Sequence, residues 1–277
     1  MTRPVPIPDG ATLTETARYV HIEGIRYRTA PLAGGRVSLC AMLYLPYPVS
    51  AAPLLVWHHG GSFKYGRHDN RQAHRIGAAL AAAGVAVASA GYRLFATDED
   101  LEDRTRAGRA AILPHWQPLF RPGLNRPAAF AALEDSVAFL NWAHDHAAEF
   151  GWTDRIVVGG TSAGAITAFN LAFTAPRIGL TRPRLCGVAS FTGGYGYPDF
   201  CNPPGLPVYA QHNPNDKGVR VDGILMVKER LGDRVELHLS DQMSHGGLML
   251  GPDDRTRKAL RRLRLFLTRC CAMPAAG

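Results

Sequence analysis

The sequence has no apolar run near the roughly 18 to 20 residues that a membrane-spanning helix needs, no internal repeat and no low-complexity linker. A bilayer span and a repeat array are thereby excluded, and a single domain over residues 1–277 is expected. Charge is scarce: 19% of the residues are Asp, Glu, Lys or Arg, against 46% apolar. That is ample for a sizeable core and argues against disorder. Cysteines are few and unpatterned. Cys40, Cys186, Cys201, Cys270 and Cys271 show no C-x-x-C spacing and no even framework, so reduced structural thiols are expected. Cys270 and Cys271 do not form a C-a-a-X prenylation signal. The N-terminal stretch MTRPVPIPDG lacks the apolar segment of a signal peptide, and a cytoplasmic location is the default expectation.

Negative charge is the scarcer sign, with 23 acidic against 31 basic residues and a net charge of +8. The excess is local. Arg255, Arg257, Lys258, Arg261, Arg262, Arg264 and Arg269 supply seven of those charges, which leaves about +1 for the rest of the chain (8 minus 7). Leu260, Leu263, Phe266 and Leu267 interleave with them at helical spacing. The expected reading is a last helix over 254–269, docked by its apolar side with a solvated basic face. No nucleic-acid partner is expected.

From residue 54 onward strand and helix patterns alternate. APLLVWHH is apolar on both faces, as suits a strand buried on both sides. RQAHRIGAALAAAG is an alanine-rich helix closed by Gly84. VAVASAGYRL, RIVVGG, RLCGVASFTGG, LPVYAQH and RVELHLSD read as strands, with helices over PAAFAALEDSVAFLNWAHDHAAEFG and SAGAITAFNLAFTA. Such alternation predicts an α/β fold, a mostly parallel sheet with helices on both faces. RYVHIEGIRYRT and RVSLCAMLYLP have no helix between them and predict an antiparallel edge. Residues 95–127 break the rhythm and read as an inserted loop or lid, acidic at its start and aromatic and proline-rich at its end.

Gly160-Thr161-Ser162-Ala163-Gly164 fits G-x-S-x-G. The pattern is weak alone, but a strand precedes it and an alanine-rich helix follows. A serine there must take a strained strand-to-helix turn, and small neighbours relieve the crowding. N-capping is the competing role for Ser162. A serine hydroxyl needs a base. His245, after the strand RVELHL, falls on the same carboxyl rim; His238 lies inside that strand, and His58 and His59 end another. The imidazole needs a carboxylate. Asp216 ends LPVYAQHNPND on that rim, with Asp199 and Asp222 as alternatives. The order Ser162, Asp216, His245 is the one expected of this architecture. His58 and His59 are adjacent in an extended strand and point to opposite faces, so they do not share a metal.

HHGGSF, GTSAG and NPNDKGV…MSHGG together resemble the α/β-hydrolase superfamily, most of all the carboxylesterases related to hormone-sensitive lipase, over about residues 37–268. The resemblance implies an eight-stranded sheet, a catalytic triad of Ser162, Asp216 and His245, and cleavage of small carboxylic esters through an acyl-enzyme. It implies no cofactor and no metal. It assigns oxyanion donors to the backbone N–H groups of Gly61, Ser62 and Ala163, with Gly60 needed for shape. Two departures stand out. Ser62 occupies the third glycine position of HGGG, and the short Ser162–Asp216 segment leaves no room for a large cap. A cover then falls to the N-terminal residues or to 95–127. Phe63, Trp116 and Phe120 are candidates to line an acyl or aryl pocket, with core or loop packing as the competing reading. The same triad serves arylformamidases, thioesterases, peptidases and acyltransferases, and a non-catalytic small-molecule receptor on this scaffold is the alternative outside enzymes. The expected partner is a small-molecule acyl substrate; a homodimer is left open.

Overall fold

A computed structural model describes residues 5–48, 51–117, 122–202, 205–241, 244–245 and 254–272. Its strands are β1 (Thr12–Glu15), β2 (Tyr19–Leu32), β3 (Gly35–Pro46), β4 (Ala52–His58), β5 (Ala86–Ala90), β6 (Trp152–Thr161), β7 (Leu185–Phe191), β8 (Val208–His212) and β9 (Val235–Leu239). They form one sheet in the order β1-β2-β3-β5-β4-β6-β7-β8-β9. The pairs β1–β2, β2–β3 and β3–β5 are antiparallel, and every pair from β4–β5 to β8–β9 is parallel. The expected eight strands are thus nine among the described residues. The extra strand is β1, whose four residues are mostly exposed and carry no apolar alternation strong enough to announce a strand.

The helices are α1 (Arg71–Ala81), α2 (Asp103–Ile112), α3 (Pro127–Asp145), α4 (Ala147–Phe150), α5 (Ala163–Phe169), α6 (Asp222–Leu231) and α7 (Asp254–Ala272). Period-two alternation along β4 divides the core. Leu54 and Val56 join a cluster with residues of α3, α5 and α6; Leu55 and Trp57 join a second cluster with α1 and α7. Helices therefore cover both faces, which accounts for the continuous apolar run in β4. The last helix docks as its spacing predicts: Ala259, Leu263, Phe266 and Leu267 are buried. No described helix is long and apolar enough to cross a membrane.

Two sequence readings need correcting. Residues 95–127 are not a loop throughout: α2 lies inside them, flanked by short 3-10 turns. Its composition, DRTRAGRAAI, buries only Thr105 and Ile112, so the amphipathic signal is weak. Gly108 is used for packing, because a Cβ there would lie 2.5 Å from Cβ of Ile178. The long helix of residues 127–151 is two: it breaks at His146 and ends at Gly151, which is left-handed (φ 73°).

A buried ion-pair cluster joins the segment after β5 to α3. Arg93 is 1% exposed. Its Nε lies 3.0 Å from Asp135 Oδ2, and its guanidinium also pairs with Glu134 and donates to the Pro31 and Asp100 carbonyls. The neighbouring Arg28 adds a contact of 3.2 Å to Asp135. Satisfying these charges fixes the start of residues 95–127 against α3 and β2.

Candidate active site

Strand order reverses at β4, with β5 on one side and β6 on the other. In open α/β sheets such a switch point leaves a crevice beyond the carboxyl ends of the strands. Here the loop after β4 brings Gly60 to that crevice, and the turn after β6 brings Ser162. The loop and the turn touch: a Cβ on Gly60 would lie 3.3 Å from Cβ of Ser162.

Ser162 is 6% exposed and has φ 52°, ψ −118°, a strained conformation for a non-glycine residue. Its N–H donates to the Phe191 carbonyl (2.9 Å), its carbonyl accepts from Ile166 N–H (3.1 Å), and its side chain makes no N-cap bond. The flanking glycines are required by close approach. A Cβ on Gly160 would lie 2.5 Å from the His58 carbonyl oxygen, and one on Gly164 would lie 2.1 Å from the same atom. A side chain at either position would therefore collide with that carbonyl.

The Ser162 hydroxyl lies 2.9 Å from His245 Nε2, and His245 Nδ1 lies 2.8 Å from Asp216 Oδ2. With Nδ1–H donating to Asp216, Nε2 is left to accept the serine proton. The Asp216 side chain is fully covered, while that of His245 is 38% exposed. Oδ1 of Asp216 accepts from the N–H groups of Gly218 (2.7 Å) and Val219 (3.1 Å), which fixes the carboxylate plane. Gly218 also packs flat on the imidazole, since a Cβ there would lie 2.8 Å from Cε1 and Nδ1 of His245. The other acidic candidates are engaged elsewhere: Asp199 pairs with Arg230, and Asp222 with Arg220 at 2.7 Å. His238 pairs with Glu236 at 2.9 Å within β9.

The paired histidines frame the loop after β4. His58 Nδ1–H donates to the Gly159 carbonyl (3.1 Å), tying β4 to β6, and its Nε2 is buried without a hydrogen-bond partner among the described residues. His59 stacks on Tyr92 at 4.2 Å, its Nδ1–H donates to the Gly60 carbonyl (2.7 Å), and its own carbonyl accepts from the Tyr92 hydroxyl (2.7 Å). Burial pushes both imidazoles down to about 4, so both are neutral near pH 7. The chain then turns through Gly61 (φ 125°), Ser62 (φ 57°) and Phe63 (φ 60°), and the Gly61 carbonyl accepts from Lys64 and Tyr65 N–H. Among the described residues, the N–H groups of Gly61, Ser62 and Ala163 have no acceptor.

A cavity of about 440 Å³ opens over the serine, walled by Gly60, Gly61, Ser62, Thr161, Ser162 and His245, and by Asn70, Arg71 and Gln72. The last three were not found from sequence. Asn70 caps α1, accepting from Gln72 and Ala73 N–H; its cap pattern is legible, but nothing local says that this helix end faces Ser162. A second cavity of about 310 Å³ shares Ser62 and is walled by Phe63, Phe95, Ala96, Pro127 and Ala128, with Lys64, Asp98, Glu99 and Arg126 around it. Of the aromatic candidates, Phe63 thus reaches a cavity wall. Trp116 lines neither of these two cavities; it packs over Gly196, with its ring 5.1 Å from that of Tyr197. Phe120 lies outside the described residues.

No protein-family model and no curated protein sequence matches the chain. Solved structures do. Esterase 2 of Thermogutta terrifontis with propionate bound superposes with a TM-score of 0.67 at 17% identity, over 98% of this chain and 98% of that one. The same enzyme phosphorylated by paraoxon gives 0.67 at 18% identity, over 97% and 98%. Esterase LipW from Mycobacterium marinum gives 0.62 at 20% identity, over 92% of this chain and 83% of that one. At such identities the likeness is one of fold, and the chain has the α/β-hydrolase fold of these esterases.

Proposed function

We propose that the chain is a serine hydrolase that cleaves carboxylic esters of small molecules through an acyl-enzyme. The observation that carries this reading is the hydrogen-bonded sequence Ser162–His245–Asp216 at the floor of a cavity. In the reaction, Ser162 Oγ attacks the acyl carbon while its proton passes to His245 Nε2. Asp216 holds the imidazole and stabilises the imidazolium. The proton then goes to the departing alkoxide, and water repeats the sequence on the acyl-enzyme. The N–H groups of Gly61, Ser62 and Ala163 are assigned to the oxyanion, each such donor lowering the barrier by about 3 kcal/mol. Cavities of about 440 and 310 Å³ suit small acyl and alcohol groups. Residues 95–127 are assigned the role of cover, because Phe95 to Glu99 wall the second cavity. Two of the similar structures support the chemistry, one named as an esterase phosphorylated by paraoxon and the other as the same esterase with propionate bound.

The test is covalent. Paraoxon should phosphorylate Ser162 and stop turnover of short p-nitrophenyl esters, and Ser162→Ala should abolish both labelling and turnover while leaving the circular dichroism spectrum unchanged. Undiminished turnover by Ser162→Ala would end the proposal. A panel of an ester, a thioester, N-formylkynurenine and an aminoacyl arylamide separates ester cleavage from the other acyl transfers of this triad.

A further inference from the structure

On the opposite side of β3 from the serine loop, three side chains converge with no part in the proposed chemistry. His21 and Glu23 lie two apart on β2 and so project to the same face. His74 comes from the second turn of α1. His21 Nε2 lies 3.3 Å from Glu23 Oε1, His74 Nε2 lies 3.6 Å from the same oxygen, and the three atoms fall within 4.8 Å of one another. Ligands about 2.0 to 2.1 Å from a tetrahedral zinc are separated from each other by about 3.3 Å. The observed spacing therefore needs only small side-chain adjustments to hold such an ion.

The surroundings orient the donors. The Tyr44 hydroxyl lies 2.8 Å from His74 Nδ1. With Nδ1–H donating to that oxygen, Nε2 carries its lone pair toward Glu23. The His21 ring stacks on Tyr44 at 4.1 Å, which fixes its plane, and its Nε2 is covered without a hydrogen-bond partner among the described residues. Side-chain exposures of 14% for His21, 34% for His74 and 44% for Glu23 leave one side open for water ligands.

We propose that His21, Glu23 and His74 form a binding site for a divalent transition-metal ion of the zinc class, separate from the serine chemistry. Two imidazoles and one carboxylate suit zinc, cobalt or nickel rather than calcium or magnesium. The ion ties β2 to α1 across β3. The first turn of α1 also carries Arg71 and Gln72, which wall the serine cavity.

The test uses the full-length protein stripped with EDTA and titrated with Co²⁺ alone or Zn²⁺ alone. One equivalent should bind, with cobalt d–d absorption of the intensity of a four- or five-coordinate nitrogen and oxygen site, and Zn²⁺ should raise the melting temperature. His21→Gln and His74→Gln should each abolish the stoichiometric phase, and Tyr44→Phe should weaken it by about 10- to 100-fold. Circular dichroism melting of the metal-free variants checks that they fold. Stoichiometric binding unchanged in both glutamine variants, a sulfur-to-cobalt charge-transfer band assigning the ion to cysteine, or no binding at millimolar metal would each overturn the proposal.

Discussion

Acidification tests how the loop after β4 is held. Two neutral histidines carry that loop, both almost fully buried and both pushed by burial to about 4 from an ordinary 6.5. Folding lowers these values, so protons bind the unfolded chain more readily, and the stabilisation is complete only above pH 6.5. It drains away as pH falls toward 4. Between pH 7 and pH 5 each histidine accounts for a loss of about 2 kcal/mol, and the pair for about 4 kcal/mol. The structural reason is specific: the atom that takes the added proton at His58 is Nε2, which is buried with no acceptor among the described residues. Other groups titrate over the same interval, so the informative quantity is a difference. In His58→Asn the amide N–H₂ keeps a donor toward the Gly159 carbonyl and has nothing to titrate. Urea unfolding followed by tryptophan fluorescence, at constant ionic strength and at pH 7, 6 and 5, should show a smaller loss in the variant by about 2 kcal/mol, whatever its stability at pH 7. Parallel pH profiles for the two proteins would refute the account and would mean that His58 is protonated as easily when folded as when unfolded.

Three further outcomes follow from named contacts. Asp216→Asn should leave substrate affinity near its original value and lower kcat by about 10⁴, read from p-nitrophenyl ester kinetics, because the amide no longer fixes the His245 tautomer. Gly218→Ala places a methyl group within 2.8 Å of the His245 ring; the half-exposed imidazole should yield, so kcat falls at least about tenfold while the melting temperature changes little. Arg93→Met leaves Glu134 and Asp135 buried without their main cation and should cost about 3 to 5 kcal/mol in denaturant unfolding, with Arg28 as the remaining partner of Asp135.

The parts of the site that were legible in sequence share one property: their geometry is set by the residues next to them. Ser162 stands at a strand-to-helix junction, and HHGG ends an apolar strand. The NPND stretch carrying Asp216 follows β8, and the stretch carrying His245 follows β9. Each can be placed on the carboxyl rim by counting elements. The illegible parts depend on which distant surfaces meet. Asn70, Arg71 and Gln72 belong to a helix start that reads the same wherever it points, and only the strand order β5-β4-β6 turns it toward the serine. Gly218 looks like any loop glycine until the imidazole is laid upon it. The α2 helix was hidden because its buried face is two residues wide.

Ser62 shows how far the local reading reaches. It stands where HGGG has its third glycine. The backbone at Ser62 is left-handed, and so is Phe63. A glycine would adopt that conformation without strain, whereas a serine costs about 1 to 2 kcal/mol, so surrounding contacts must over-determine it. They are present. Gly61 is locked by two N–H donors to its carbonyl, and Phe63 is 1% exposed and accepts from Phe95 N–H at 3.0 Å. Ser62 is suspended between two anchored neighbours, and its residue walls both cavities. The substitution thus leaves the backbone donor in place and puts a polar side chain where the two cavities meet. Under the proposed function, that position would bear on which ester enters rather than on whether Ser162 reacts.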